Sequence, residues 1–266
     1  MKIHKKRVIK ILAIIGAFIF IGSNIRFNFF EIRNIPFLNK AIITHRGLYT
    51  TNIPENSLGA FQHSIDRGLA IELDVIKSKD NYPMVFHDDN LERLTNGKGP
   101  IKNVSFKDLK QLTLKNSNEK IPTLKQVLDL VNGQVALLIE VKNSSIPGEL
   151  EKNILMDLKN YNGDVAIQSF NPFVVRWFKN NAPSLNAGLI LGEARIKPLR
   201  MLRDNIYAYI AIPNFLTYQQ DILISDKTLS ALSAKGLTII PYVLNINDLH
   251  ELEERGFNSA IIHMEK

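Results

Sequence analysis

The sequence predicts an α/β fold, a (β/α)8 TIM barrel with a hairpin after its second strand. Three observations point there. Eight strand-like apolar runs alternate with helix-like periods from residue 41 onward; the punctuation between them is short; and 266 residues with 45% apolar content can bury one barrel-sized core.

The strand-like runs are 41–47 (AIITHRG), 70–77 (AIELDVIK), 134–142 (QVALLIEVK), 164–170 (DVAIQSF), 186–192 (NAGLILG), 207–214 (YAYIAIPN), 237–244 (LTIIPYVL) and 259–264 (SAIIHM). Helical periods lie between them. Residues 58–68 carry Leu58, Phe61 and Ile65 on one stripe, with Asn56 or Ser57 as the capping candidate, and 123–131 and 224–235 show similar spacing. One unit departs from the pattern: "KSKDNYPMVFHDD" has a turn at Asp80-Asn81 and a second strand-like run, which predicts a hairpin. A tight turn there pairs residues whose numbers sum to about 161, setting Asp74 opposite His87.

Residues 1–40 read as a separate leader, and 41–266 as the barrel domain. The basic stretch "MKIHKKRVIK" precedes an uninterrupted apolar run from Ile11 to Gly22, short for a spanning helix and within the range of a signal-peptide core. Snorkelling by Lys10 and extension toward Ile25 bring it to about 18 residues. No Ala-x-Ala site follows, so a retained single-pass anchor is expected, with the basic end inside and the barrel outside the membrane; a cleaved leader would release a secreted barrel. "RFNFFEIRNIPF" up to Lys40 mixes aromatics with charge, as an interfacial linker does.

The net charge of +7 is concentrated in this leader. Residues 1–40 hold eight Lys/Arg against Glu31, which leaves 25 basic (33 − 8) and 25 acidic (26 − 1) residues for the remainder. The barrel is therefore neutral, and nucleic acid is not an expected partner. The chain has no cysteine, so disulfides and thiolate chemistry are excluded, and any metal must be held by oxygen or imidazole.

Chemistry gathers where barrels place it, at the carboxyl ends of the strands. Glu72 and Asp74 in "IELDV", and Glu140 and Lys142 in "LIEVK", are two apart and so point to the same side of their strands. Carboxylates in runs this apolar are costly unless neutralised. Ion pairing of Glu140 with Lys142 or of Glu72 with Arg46 is one solution, and a hard divalent cation, Ca²⁺ or Mg²⁺, is the other; three carboxylates at one barrel end favour the cation. His45 and His87 each close an apolar run and form a candidate acid and base pair. His263 could line the same mouth.

The motifs "HRG" (45–47), "PENS" (54–57), "ELDV" (72–75), "VFHDDNLERLTNGKG" (85–99), "IPTLKQVL" (121–128), "IEVK" (139–142) and "QSFNP" (168–172) together resemble the glycerophosphodiester phosphodiesterase family. The resemblance implies a barrel of the phospholipase C-like phosphodiesterase type with a small insertion, here about Asp88 to Lys120. It also implies a divalent cation on Glu72, Asp74 and Glu140, catalytic histidines at His45 and His87, and a phosphate contact at Arg46. Its members split glycerophosphodiesters into glycerol 3-phosphate and an alcohol; by analogy His45 is the base and His87 the acid. Lys142 can add a point charge, and Glu55 either orients a histidine, approaches the metal or, with Asn56, starts the first helix. On the seventh predicted strand "YVLN" replaces the usual tryptophan, threonine, valine and asparagine, so Tyr242 is the expected aromatic wall for substrate; after the eighth, "IIHMEK" replaces the usual threonine and aspartate. Substrates of glycerophosphodiester or lysophospholipid-like chemistry are the expectation. A lyase releasing a cyclic phosphate and an inactive membrane-anchored binding barrel are the alternatives.

Overall fold

The computed structural model describes residues 30–39, 41–192, 197–219, 227–243, 249–254, 257 and 259–263. The predicted membrane segment and the first residues of the helix read at 224–235 lie outside them. Among the described residues no helix is long and apolar enough to cross a membrane.

The strands are β1 (Ile42–His45), β2 (Ala70–Lys77), β3 (Pro83–Val85), β4 (Leu137–Val141), β5 (Val165–Ser169), β6 (Asn186–Leu191), β7 (Phe215–Gln219), β8 (Thr238–Val243) and β9 (Ala260–Ile262). Eight of them pair in parallel in the order β1-β9-β8-β7-β6-β5-β4-β2, and β1 pairs with β2 to close the barrel. The helices are α1 (Leu58–Ile65), α2 (Phe106–Leu109), α3 (Leu124–Val131), α4 (Glu149–Leu158), α5 (Pro172–Asn181), α6 (Lys197–Ala211), α7 (Lys227–Ser233) and α8 (Leu249–Glu254). Local chemistry starts two of them as read: Ser57 caps α1 by accepting from the Ala60 N–H, and Thr123 with Gln126 forms a capping box on α3.

Two predicted elements are corrected. Residues 207–214 end α6 instead of forming a strand, and the sixth barrel strand is β7, eight residues later. The Tyr/Ile composition argued for β structure, but burial follows a helical period: Asp204, Ala208 and Ala211 are buried while Ile206 and Tyr209 are exposed. In the hairpin, Val75 pairs with Val85 and Lys77 with Pro83, so the pairs sum to 160. A five-residue connection, 78–82, replaces the tight turn, with Asn81 at φ 63° and the Ser78 N–H bonded to the Tyr82 carbonyl. Asp74 consequently stands opposite Phe86, whose N–H donates to the Asp74 carbonyl, and His87 falls just beyond the ladder.

Strand alternation sorts side chains into an outer apolar layer and an inner column. Ile71, Leu73, Leu137, Ile139, Ile167, Leu189 and Ile239 pack outward in the main cluster with the helices. Inward, an apolar floor is made by Ile43, Leu138, Ala166, Phe215, Ile240 and Ile261. Gly188 leaves room for the Phe215 ring, which a Cβ at that position would meet at 2.2 Å. Ile35 and Leu38, in the stretch read as an interfacial linker, are buried in this same floor. The insertion after His87 has its own small core around Met84, Phe86, Leu91, Ile101 and Leu109.

Candidate active site

Directly above the apolar floor the inward positions turn polar. The same alternation that puts Ile43, Ala70, Leu138, Ala166, Phe215, Ile240 and Ile261 low in the barrel puts His45, Glu72, Glu140, Gln168, Thr217, Tyr242 and His263 two residues further along, at the carboxyl ends of the strands. The site is one layer of the barrel, and the next inward residue of β2 is Asp74.

Glu72, Asp74 and Glu140 converge, each offering an oxygen within 4.8 Å of the other two. All three are buried. Burial pushes Glu72 well above the usual carboxylate value, and the neighbouring Asp74 and Glu140 push it further; burial and Asp74 raise Glu140 too. Burial also opposes ionisation of Asp74, but Lys142, His87, Arg46 and the Asn56 hydrogen bond outweigh it and hold that carboxyl low. Of the ion pairs weighed from sequence, that of Glu140 with Lys142 forms: Lys142 Nζ donates to Glu140 at 2.9 Å and also pairs with Asp74 at 3.3 Å. Glu72 accepts from the backbone N–H of Arg46 at 3.1 Å, while the Arg46 guanidinium pairs with Glu55 and Asp74. Arg46 and Lys142 do not neutralise the three buried carboxylates. A hard cation with oxygen ligands fits the remaining charge.

Arg46 lies in a backbone turn that its type rarely adopts, at φ 57°, followed by Gly47 at φ 79°. A Cβ on Gly47 would meet the Ala60 backbone at 2.9 Å, so "HRG" is the close approach of this loop to α1. The turn aims the guanidinium into the mouth, where Nη1 donates to Glu55 at 2.7 Å and Nε pairs with Asp74 at 3.3 Å without hydrogen-bond alignment. Asn56 fixes Asp74 from the other side: its Nδ2 donates to Oδ2 at 2.8 Å and its Oδ1 accepts from the Asp74 N–H at 3.2 Å.

Glu55 takes a role the sequence reading did not include. It accepts from Arg46 and from both Nη atoms of Arg93, at 2.7 Å and 3.0 Å, and so pairs two arginines; α1 is capped by Ser57. Arg93 was missed, as was its other partner Asp88, which accepts from Arg93 and lies 2.7 Å from His87 Nδ1. Both stand in "HDDNLER", where a histidine followed at once by an acid was the available signal. Tyr242, expected as an aromatic wall for substrate, packs edge-on against His45 at 4.7 Å between ring centroids and hydrogen-bonds to it. His263 joins them, with its Nδ1 3.2 Å from that of His45 and its Nε2 2.9 Å from the Tyr49 hydroxyl.

Burial, aided by Arg46, drives the His45 imidazole down to about 2, so the ring is neutral at physiological pH. His87 is also lowered by burial, though Asp74 and Asp88 resist this. A cleft of about 1130 Å³ opens beside these groups and is lined by His87, Arg93, Glu140 and Lys142 on its charged side. A neutral ring beside a buried arginine, a second histidine held by a carboxylate, and a buried trio of acids can bind a phosphate and move protons on either side of it.

Comparison with known proteins agrees with that chemistry. The sequence profile of the glycerophosphoryl diester phosphodiesterase family matches residues 45–263. A glycerophosphodiester phosphodiesterase of Caldanaerobacter subterraneus is 36% identical over 180 residues, 63% of this chain and 73% of that one; one from Bacillus altitudinis is 30% identical over 217 residues, 77% and 86%. The solved structure of an Oleispira antarctica phosphodiesterase in complex with the product sn-glycerol-3-phosphate shares the fold, with a TM-score of 0.71 at 24% identity over 84% of this chain and 92% of that one. The profile match begins at His45, the last residue of β1, and ends at His263, taking in the other seven strands of the closed barrel and every side chain of its polar layer, and the chain belongs to the glycerophosphoryl diester phosphodiesterase family.

Proposed function

We propose that the chain hydrolyses glycerophosphodiesters to glycerol 3-phosphate and an alcohol. The observation that carries this reading is the convergence of His45, His87, Arg46, Lys142 and the trio Glu72, Asp74 and Glu140 on one barrel mouth. The names of the curated relatives support it.

In this mechanism Arg46 and Lys142 face the non-bridging phosphate oxygens and oppose the charge that grows in the transition state. His45, neutral and hydrogen-bonded by Tyr242, takes the proton of the glycerol hydroxyl next to the phosphate. That oxygen bonds to phosphorus, the phosphorus–oxygen bond to the alcohol breaks, and His87 gives the departing oxygen its proton. The phosphodiester anion, with Asp88 and Asp74, favours the protonated form of His87 that this step requires. Water then opens the cyclic phosphate, losing a proton to His87 while His45 returns one to the hydroxyl. Glu72, Asp74 and Glu140 would hold the divalent cation, Ca²⁺ or Mg²⁺, which when bound supplies Lewis-acid stabilisation of phosphoryl charge. The basic and apolar leader would tether the barrel to a membrane with its mouth on the outer side.

The test is product analysis on glycerophosphocholine and glycerophosphoethanolamine, with and without chelator. Glycerol 3-phosphate and the free alcohol are expected, with turnover lost in chelator and restored by Ca²⁺ or Mg²⁺. Cyclic phosphate as the accumulating end product would turn the reading to a lyase, and no turnover of any diester would overturn it.

A further inference from the structure

His45 has a second histidine beside it to which the chemistry above gives no task. The β1–β9 register, in which Thr44 pairs with Ile262, runs one residue further to His45 and His263. The His263 N–H donates to the Val243 carbonyl at 3.1 Å, so its backbone is held by β8, the strand that carries Tyr242. The ring centroids of the two histidines lie 5.5 Å apart and their Nδ1 atoms 3.2 Å apart. Tyr242 and His263 stand in the two stretches, "YVLN" and "IIHMEK", where the sequence departs from the family pattern, and both departures meet on one ring.

The two neighbours act on that ring differently. The Tyr242 hydroxyl reaches both ring nitrogens of His45 and does not distinguish them; burial pushes its pKa up, so it keeps its proton across the physiological range. His263 meets Nδ1 and not Nε2. Behind His263 stands the Tyr49 hydroxyl, 2.9 Å from its Nε2 and 3.2 Å from its Nδ1. Tyr49 is placed by its neighbours, the Leu48 N–H donating to the Ala60 carbonyl at 3.0 Å and the Thr50 N–H to the Ile53 carbonyl at 2.9 Å.

A contact between two ring nitrogens holds one hydrogen, and two arrangements satisfy the chain from Tyr49 through His263 to His45. In the first, the Tyr49 O–H donates to His263 Nε2, the His263 Nδ1–H donates to His45 Nδ1, and His45 carries its own hydrogen on Nε2. Both of its nitrogens are then taken, and it can accept no proton; a His263 ring with hydrogens on both nitrogens has the same effect. In the second, the His263 Nε2–H donates to the Tyr49 oxygen, and His263 Nδ1 accepts from the His45 Nδ1–H. Only this arrangement leaves a lone pair on His45 Nε2, the nitrogen that His263 does not cover.

We propose that His263 is the positioning residue of the base: it accepts the Nδ1 hydrogen of His45, is held in that tautomer by Tyr49, and leaves Nε2 to take the proton of the attacking hydroxyl. The assignment rests on the phosphodiesterase reading above. It also gives a physical reason for two histidines of one mouth to take opposite tasks. The carboxylate of Asp88 brings His87 a negative charge that favours the protonated acid, whereas an imidazole orients His45 without adding one.

Nitrogen NMR of the full chain with isotope-labelled histidine, near neutral pH, reads the hydrogen directly. The His45 signals, identified by their absence in His45→Gln, should show a hydrogen on Nδ1 and none on Nε2, and His263→Leu should move them to a mixture of tautomers. A hydrogen on Nε2 in the wild-type chain, or His45 signals that His263→Leu leaves unchanged, would overturn the proposal even if no diester were turned over. Kinetics on glycerophosphocholine separate positioning from packing. His263→Leu should lower kcat by about 10²-fold, within the range for losing a correctly oriented base, with KM little changed. His263→Asn, whose Oδ1 can accept where Nδ1 did, should recover most of that loss, and Tyr49→Phe should cost less than His263→Leu because the accepting nitrogen remains. An asparagine variant no better than the leucine variant, or a loss confined to KM, refutes the positioning role while the phosphodiesterase reading stands. Absence of wild-type turnover would count against that reading instead, and the spectrum then decides the tautomer.

Discussion

His87 Nδ1 lies 2.7 Å from Asp88 Oδ1, and Arg93 forks the same carboxylate while its guanidinium also holds Glu55. Burial would raise Asp88, but the bonds from Arg93 and His87 prevail and hold it at about 2, so it remains an anion across the physiological range. An anion at Nδ1 keeps a proton there and leaves Nε2 to exchange protons with the substrate. Through Glu55 the same arginine joins His87 to the loop that carries Arg46.

Asp88→Asn should therefore damage turnover more than binding. The amide can donate to Nδ1 and reverse the tautomer, so kcat is expected to fall by about 10²-fold, at the low end of a general-acid contribution, with KM little changed. Adding Asp88→Asn to His87→Ala should cost nothing further, since the two act as a unit. Steady-state kinetics of the two single variants and the double variant check this; additive losses would give Asp88 a separate task.

The carboxylate trio predicts how stability responds to pH. Glu72 and Glu140 are raised above 4.5, so from that pH upward, through their folded values, the folded chain holds protons that the unfolded chain has lost. Stability of the cation-free protein should then fall as pH rises through that window. Asp74 is lowered and acts in the opposite sense, its contribution being complete above 3.8 and lost as pH falls through its folded value. Divalent cation favours the ionised trio and should remove the downward slope. Thermal unfolding from pH 4.5 to 8, in chelator and in Ca²⁺ or Mg²⁺, measures it; a Tm indifferent to both pH and cation would deny that the three share an ion.

The barrel was legible because its strands are nearly continuous apolar runs interrupted by Glu72, Asp74, Glu140 and His45, and an acid in such a run has few explanations besides a site. Strand periodicity carried those residues to one layer of one mouth. It did not carry the register of the hairpin, since the five-residue connection 78–82, with Asn81 at φ 63°, stands in place of the expected tight turn and moves every pair by one. Nor could it separate the end of α6 from a strand, because Tyr and Ile serve on either element and only the burial of Asp204, Ala208 and Ala211 decides. Arg93 and Tyr242 act across long sequence separations, on Glu55 and on His45 respectively, and local pattern holds no trace of such contacts.

Ile35 offers a check on the floor of the barrel. It is fully buried among Leu138, Ala166, Phe215 and Ile240 although it precedes the first strand. Ile35→Ala should destabilise by about 2–4 kcal/mol, the usual cost of an aliphatic cavity, and a chain begun after residue 39 should lose more than one begun at residue 30. Denaturant unfolding measures both; unchanged midpoints would mean that this segment contributes nothing to the core.

The two histidines should separate when the leaving group is changed. His45→Ala and His87→Ala are each expected to lose roughly 10² to 10⁴ in turnover on an alkyl diester, the range for general acid or base catalysis. A p-nitrophenyl-type alcohol leaves without needing a proton, so a variant that lacks only the acid should recover most of its rate on that substrate. A variant that lacks the base should not, because the attacking hydroxyl still has a proton to lose. His45 has the environment of the base: burial and Arg46 keep its ring neutral, and Tyr242 and His263 fix its position. His87, held by Asp88 at the edge of the open cleft, has the environment of the acid that meets the departing alcohol. Recovery by His87→Ala and none by His45→Ala is the expected pattern. The reverse pattern would exchange the two roles, and equal, unrecovered losses would assign both rings to holding the phosphate instead of moving protons.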